Sequence, residues 1–259
     1  MKAITLLSAV PMRSQPSETA EMCSQMLFAQ TCEVLSDNAK WPKIRLDADG
    51  YEGYVDRKMI SLLSDENYES VVRAPYAVVC YPVAMAVSKA NHTTIILTAG
   101  SRLPNYHNGT FSLLGADFEI SPELVAINPQ YTEPNILRAV PYFFNISYLW
   151  GGKNAFGMDC SGFTQVFCSI FGISLPRDTS QQALLGEPIG FLEETQAGDL
   201  VFFENSSGNI IHVGMLVGKD AVVHCSGRLK MSKIDSHGIL SDDLKSYTHQ
   251  LRVIKRIVE

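Results

Sequence analysis

The sequence predicts an α+β domain over residues 136–259, preceded by two small all-β barrels over residues 1–65 and 66–125 and by a linker at 126–135. Three observations predict this. Up to about residue 125, short apolar runs alternate with turns rich in Pro, Gly, Asp and Asn, which is the pattern of strands. From about residue 136 a helical period appears. Beyond that helix come further strand-like runs, and a helix followed by an antiparallel sheet makes an α+β domain.

In chain order, ITLLSAV, LFAQTCEVLS, WPKIRLDADG and YEGYVD supply the strands of the first barrel. Between them the stretch from Ser17 to Gln30 matches neither the strand period nor the helix period, and reads as a loop or a turn of helix leading into a strand. The second barrel draws on YAVVCYPVAMAV, TTIILTAGSRLP, a turn at HNG, and TFSLLGADFEI. The stretch from 121 to 135, SPELVAINPQYTEPN, has no period and is rich in Pro and Asn, as a linker would be. Phe163, Val166, Phe167 and Ile170 then recur at the spacing of one helix face, with Gly172 where a C-terminal cap belongs. This helix should start at or near Cys160. The strands of the last domain are DLVFF, HVGMLVG, AVVHCSG and LRVIKRIVE.

Composition removes several classes of function. The chain has 259 residues, 46% of them hydrophobic and 19% charged, an ordinary globular balance. Lys and Arg number 21 against 27 Asp and Glu, so a formal charge of -6 offers no basic stripe for nucleic acid. The six cysteines are scattered, with no C-x-x-C pair, and read as mostly reduced thiols. The opening residues have a short apolar run broken at Pro11, which reads as a first strand rather than a secretory signal. No stretch approaches the roughly 20 apolar residues of a membrane span, so a soluble protein is expected. Both a cytoplasmic and a periplasmic or exported location stay open, as does the oligomeric state.

The chemistry points to one cysteine. Cys160 follows Gly157-Met158-Asp159 and opens the amphipathic helix, where unpaired N–H groups and the positive end of the helix dipole favour thiolate over thiol. A thiol with a pKa of about 8.5 needs such help to act as a nucleophile near neutral pH. Two of the six histidines lie in the strands that follow, His212 in IIHVGMLVG and His224 in AVVHCSG. If Gly218-Lys219-Asp220 form a three-residue hairpin loop with Val217 opposite Ala221, His212 lies opposite Ser226. His224 is then its diagonal neighbour on the same face, roughly 7–8 Å away at the backbone. A two-residue loop would put the two rings on opposite faces. Cys160, His212 and His224 thus fill the roles of nucleophile, base and orienting group. Two His and a Cys can also bind zinc, but no paired metal-ligand spacing is present and a structural site wants a fourth ligand, so neither metal nor cofactor is expected.

The motifs around these residues carry a resemblance. Tyr148-Leu149-Trp150-Gly151-Gly152, Asp159-Cys160-Ser161-Gly162-Phe163, Leu175-Pro176-Arg177-Asp178, Gly198-Asp199-Leu200-Val201-Phe202-Phe203 and His212-Val213-Gly214 occur in that order. Over residues 136–259 the chain resembles the NlpC family of cell-wall cysteine peptidases, which implies a papain-like fold with the cysteine at a helix N-terminus. Met12-Arg13-Ser14, Pro16-Ser17, Trp41-Pro42-Lys43-Ile44 and Gly50-Tyr51-Glu52-Gly53-Tyr54-Val55 look like a bacterial SH3 domain, and the second barrel is a more divergent match.

Two such SH3-like barrels before the peptidase domain are similar to the subgroup that cleaves the γ-D-glutamyl-diamino acid bond of murein peptides bearing a free N-terminal L-Ala. In that subgroup the first barrel closes the substrate cleft. Carried over by position, Cys160, His212 and His224 are the catalytic residues, and Tyr148, Trp150, Asp159, Ser161, Asp178 and Thr179 line the substrate subsites. Glu21 and Tyr51 look like the acidic and phenolic groups that hold the substrate's amine. Two departures stand out. Pro141 falls where a helix should precede Tyr148, which implies a kink or a shorter helix. Thr179 carries a methyl group where smaller residues are common, which narrows a subsite. Alternative readings are an amidase or acyltransferase acting on another amide, and a non-catalytic wall-binding protein. The diamino acid, diaminopimelate or Lys, is left open.

Overall fold

The computed structural model of the chain describes residues 1–36, 38–241 and 244–258. It divides into two compact units. Met1–Pro129, Trp150–Ala155 and Val166–Ser174 make the first, and Gln130–Leu149, Phe156–Gln165 and Leu175–Glu259 the second.

In the first unit the opening strands form a seven-stranded sheet in the order Met22–Leu27, Ala9–Arg13, Glu52–Tyr54, Lys43–Leu46, Thr31–Val34, Lys2–Ile4 and Ser61–Leu63. Strand alternation works as written: Val10 and Met12 turn inward from Ala9–Arg13 to join Ala3, Met26, Cys32 and Ile44 in a core. The stretch that matched no period contains the Met22–Leu27 strand. Ser24, Gln25, Met26 and Leu27 are all buried there, and a strand covered on both faces loses its alternation.

The next segment departs from expectation, because Asp65–Arg73, at the start of the region read as a second all-β barrel, is a helix. Ser64 caps it, accepting from the Asn67 N–H, and Glu69 pairs with Arg73 one turn later. Two small sheets follow. Thr94–Thr98, Val83–Ser88, Ala116–Ile120 and Thr110–Leu113 form one, and Arg102–Pro104, Tyr76–Val79 and Val125–Ala126 the other. Their residues share a core in which Phe111 stacks on Phe118 at 4.9 Å between ring centroids.

In the second unit a helix runs over Glu133–Ala139, beginning inside the expected linker. It gives way to a tighter 3-10 turn over Val140–Phe143, with Pro141 in the first positions of that turn. Proline has no N–H to continue an α-helix, and the first positions are where that lack costs least. The cysteine helix spans Cys160–Ile170. Phe163, Val166, Phe167 and Ile170 are all buried, and Gly172 ends the helix at a φ of 77°, a left-handed conformation that suits glycine.

The strand-like runs after it become Leu200–Glu204, Ile210–Gly218, Ala221–Ser226, Arg228–Asp235, Gly238–Ser241 and Ser246–Arg256. Each pairs with the next, and the last returns to pair with Leu200–Glu204 as well. The expected antiparallel sheet is therefore closed into a barrel, with Glu187–Ile189 paired to the end of the last strand at Ile254, Lys255 and Arg256. Asp199, of the Gly-Asp motif, anchors the closing strand through Arg256, whose Nε and Nη2 donate at 3.0 and 2.9 Å.

The histidine hairpin reaches the expected offset by another route. Gly218 pairs with Ala221, so the turn has two residues, Lys219 and Asp220. A bulge between Leu216 and Gly218 restores the register, leaving Leu216 opposite Val222 and Gly214 opposite His224. The extra residue of the bulge replaces the third loop residue, and His212 and His224 stay on one face.

Gly214 is required at that crossing. A Cβ there would lie 2.5 Å from Val222 Cγ2 and 3.2 Å from His224 Cβ, and both neighbours are fully buried. Gly214→Ala should therefore cost about 1–3 kcal/mol, as overpacking a tight core does. Denaturant unfolding checks it: the midpoint should drop, and an unchanged midpoint would show that the two strands part without penalty.

Candidate active site

The start of the cysteine helix is a built structure. Asp159 Oδ1 accepts the Gly162 N–H at 2.7 Å, a helix cap, while its other oxygen takes Arg177 Nη2 at 2.5 Å. Arg177 Nη1 also donates to Ser161 Oγ at 2.6 Å. Gln182 is fully buried, accepting from Thr164 Oγ1 at 2.7 Å and donating to the carbonyls of Ser161 and Pro176. Asp159 and Ser161 therefore shape the helix start as well as adjoining the thiol. Arg177 and Gln182 were not foreseen as site residues, although Arg177 stood inside a motif already singled out.

Cys160 is 7% exposed, and its sulfur accepts from the backbone N–H groups of Val213 and Ser161, with Thr179 Oγ1 at 3.9 Å. The thiol thus sits beside the residue that follows His212. The expectation of a favoured thiolate is reversed in the resting protein. Burial and then the Asp159 carboxylate push the Cys160 thiol up, and the surrounding N–H and hydroxyl donors offset only part of that. Tyr148 is half-buried, and its phenol is raised to about 12 by burial and by the charges at Cys160 and Asp159. It stays protonated and able to donate a hydrogen bond.

His212 Nε2 and His224 Nδ1 are 2.9 Å apart, and His224 Nε2 is 3.1 Å from Ser232 Oγ. Proton accounting selects one tautomer chain for a base. If His212 Nε2–H donates to His224 Nδ1, and His224 Nε2–H donates to Ser232, the Nδ1 lone pair of His212 is left to take a proton. The opposite arrangement protonates His212 Nδ1. Phe203, paired with His212 across the sheet, walls the ring at 5.8 Å between centroids.

A third histidine completes the group. His249, on the closing strand, brings its ring centroid within 4.3 Å of His212 and 5.5 Å of His224. Only barrel closure makes it a neighbour, and the sequence held no local signal for it. Burial, then His249 and His224, hold the His212 imidazole well below its usual range; burial, then His249 and Lys230, push His224 down to about 3. The rings are neutral at physiological pH.

The remaining predicted residues fall into two groups. Asp178 is exposed and precedes the short Thr179–Gln182 helix, accepting from the N–H groups of Gln181 and Gln182 through its carbonyl. In the first unit, Trp150 is 60% exposed, and its Nε1–H donates to Glu21 Oε1 at 2.5 Å. Tyr51, half-buried, packs on the barrel core. Glu21 and Trp150, predicted separately, meet.

The buried neutral rings make stability depend on pH. An unfolded histidine titrates near 6.5, so protonation below that value favours the unfolded chain. Stability is full above pH 6.5 and declines as pH falls toward the folded value, about 3 for His224. Each ring contributes a slope of up to about 1.4 kcal/mol per pH unit. The urea midpoint should fall between pH 7 and pH 5, and fall less in His224→Gln; equal midpoints in the unaltered protein would contradict a buried neutral pair.

Comparison with known proteins gives this geometry a family. Residues 145–248 match the NlpC/P60 family, and residues 12–60 match the bacterial dipeptidyl-peptidase SH3 domain. One SH3 domain is thereby established where two were expected. The chain is 29% identical over 216 residues to a γ-D-glutamyl-L-lysine dipeptidyl-peptidase of Bacillus subtilis, covering 78% of this chain and 71% of that protein. It is 25% identical over 270 residues to dipeptidyl-peptidase 6 of Lysinibacillus sphaericus, covering 94% and 96%. A crystal structure of an NlpC/P60 family protein from Bacillus cereus superposes with a TM-score of 0.86 over 100% of both chains at 19% identity, a likeness of fold. Residues 145–248 therefore form an NlpC/P60 domain, with a bacterial SH3 domain ahead of it in the sequence.

Proposed function

We propose that this peptidase hydrolyses the γ-D-glutamyl-diamino acid bond of murein peptides that carry a free N-terminal L-Ala, in the turnover or recycling of cell wall. The observation that carries the reading is the 2.9 Å His212–His224 hydrogen bond beside a thiol at a helix start. The relatives named for γ-D-glutamyl-L-lysine peptidase activity support the substrate class.

In the proposed reaction the Cys160 thiol gives its proton to His212 Nδ1 as the sulfur attacks the γ-glutamyl carbonyl, because the resting pair is neutral. His224 takes up the hydrogen bond of the imidazolium. The backbone N–H of Cys160, with the Tyr148 hydroxyl, faces the developing oxyanion. His212 then protonates the leaving amine, and water, with His212 as base, hydrolyses the thioester. Tyr148, Asp178 and Thr179 are the side chains assigned to the peptide near the thiol, on the helix start shaped by Asp159 and Ser161. To Glu21 and Tyr51, with Trp150 orienting the carboxylate, we assign the substrate's ammonium group.

Defined peptides test both parts. Cys160→Ala should keep its far-UV circular dichroism and lose at least about 10³-fold of its turnover of L-Ala-γ-D-Glu-diamino acid peptides, with products identified by mass spectrometry. Undiminished turnover would overturn the nucleophile, and cleavage of a different amide would overturn the bond. Acetylating the substrate amine should lower kcat/KM at least about tenfold. No effect of acetylation would remove the role given to Glu21 and Tyr51 while leaving the chemistry at Cys160 standing.

A further inference from the structure

Three histidines converge in the second unit, and the proposed reaction uses two. His212, His224 and His249 come from three different strands of the closed barrel, and one ring nitrogen of each lies within 4.8 Å of the other two. His212 and His224 are almost fully buried, at 6% and 1% exposed, whereas His249 is half-buried and gives the group an edge toward solvent. No carboxylate belongs to this group among the described residues.

We propose that His212, His224 and His249 form a three-histidine site for a borderline transition-metal dication, Zn²⁺ foremost, and that occupation of this site inhibits the peptidase. Three imidazoles with a fourth position left for water make a tetrahedral zinc set, with Zn–N distances of about 2.0–2.1 Å. Two ligands at that distance on a tetrahedral ion are roughly 3.4 Å apart. Small ring rotations therefore bring His249 in, and the 2.9 Å contact between His212 and His224 must open. An all-nitrogen set favours zinc, cobalt or nickel over magnesium and calcium, which take oxygen ligands.

Inhibition follows from the proton accounting. His212 Nε2 carries the proton shared with His224 in the tautomer that serves as a base. When Nε2 gives its lone pair to the metal, that proton moves to Nδ1, the nitrogen meant to receive the thiol proton. The ring keeps one proton throughout, and none is released. With Nδ1 protonated, His212 cannot accept the proton of Cys160, and His224 Nδ1, now a metal ligand, no longer orients it. Two histidines alone would bind weakly, so His249 decides the affinity.

The inference takes His212 as base from the function proposed above, but its binding half can be read without turnover. Full-length Cys160→Ala is titrated with Co²⁺, following the visible bands of four-coordinate cobalt. One ion per chain should bind, and adding His249→Phe should weaken binding at least about tenfold, the scale on which ligand-shell changes act. His249→Asn serves as a second variant, and circular dichroism confirms that each one folds. In the protein with Cys160 intact, Zn²⁺ should inhibit and Mg²⁺ should not. His249→Phe should raise the half-inhibiting Zn²⁺ concentration at least about tenfold, measured against that variant's own uninhibited rate. Cobalt binding that vanishes in Cys160→Ala would overturn the site in favour of thiolate ligation. Binding or inhibition indifferent to both His249 variants would overturn it too. Cobalt binding that depends on His249, with no peptidase activity in any variant, would uphold the site and reject the functional reading instead.

Discussion

A single buried hydrogen bond, between His212 Nε2 and His224 Nδ1, organises this site. Two polar rings are almost completely removed from water there, so each must find a partner or destabilise the fold. Each ring supplies the other's partner, and Ser232 completes the chain. The same bond leaves Nδ1 of His212 as the nitrogen for the proposed role of base. One contact therefore satisfies the requirement of burial and the requirement of chemistry. Gly214, opposite His224, leaves the strands close enough for it, and the bulge before Gly218 keeps both rings on one face.

The helix start is organised by a second buried group, the pair of Asp159 with Arg177. Its carboxylate caps the helix, and after burial, the larger cause, its charge pushes the Cys160 thiol up, so the group that caps the helix also disfavours the thiolate. A protonated thiol beside a neutral base needs the proton transfer to accompany attack. In the proposed reaction, Cys160 would thus stay in its less reactive form until a substrate carbonyl is in place.

Much of this was legible in the sequence, and the exceptions have physical causes. The face formed by Phe163, Val166, Phe167 and Ile170 repeats at the helical period, so the helix and the position of Cys160 on it could be read. The relation between His212 and His224 was read correctly through an incorrect turn, because a bulge and a longer loop change register in the same way. His249 was invisible, since it joins the others only when the Ser246–Arg256 strand closes the barrel, and closure leaves no periodic mark. The Asp65–Arg73 helix did leave marks, in the Ser64 cap, the acids that follow it, the Glu69–Arg73 spacing and the i, i+3, i+4 placing of Tyr68, Val71 and Val72, but that apolar run is one turn long and none of the helix's residues is fully buried. The state of the Cys160 thiol turned on burial, which a helix N-terminus does not reveal.

The central claim is that His224 holds His212 with its proton on Nε2 and its lone pair on Nδ1. Nitrogen-15 chemical shifts of the histidine side chains, measured at neutral pH on full-length protein with His212 assigned by substitution, test it directly. The account predicts a protonated, pyrrole-like shift at His212 Nε2 and an unprotonated, pyridine-like shift at Nδ1, with coupling across the hydrogen bond to His224 Nδ1. A pyrrole-like Nδ1 on His212, or shifts showing both nitrogens protonated at neutral pH, would contradict it.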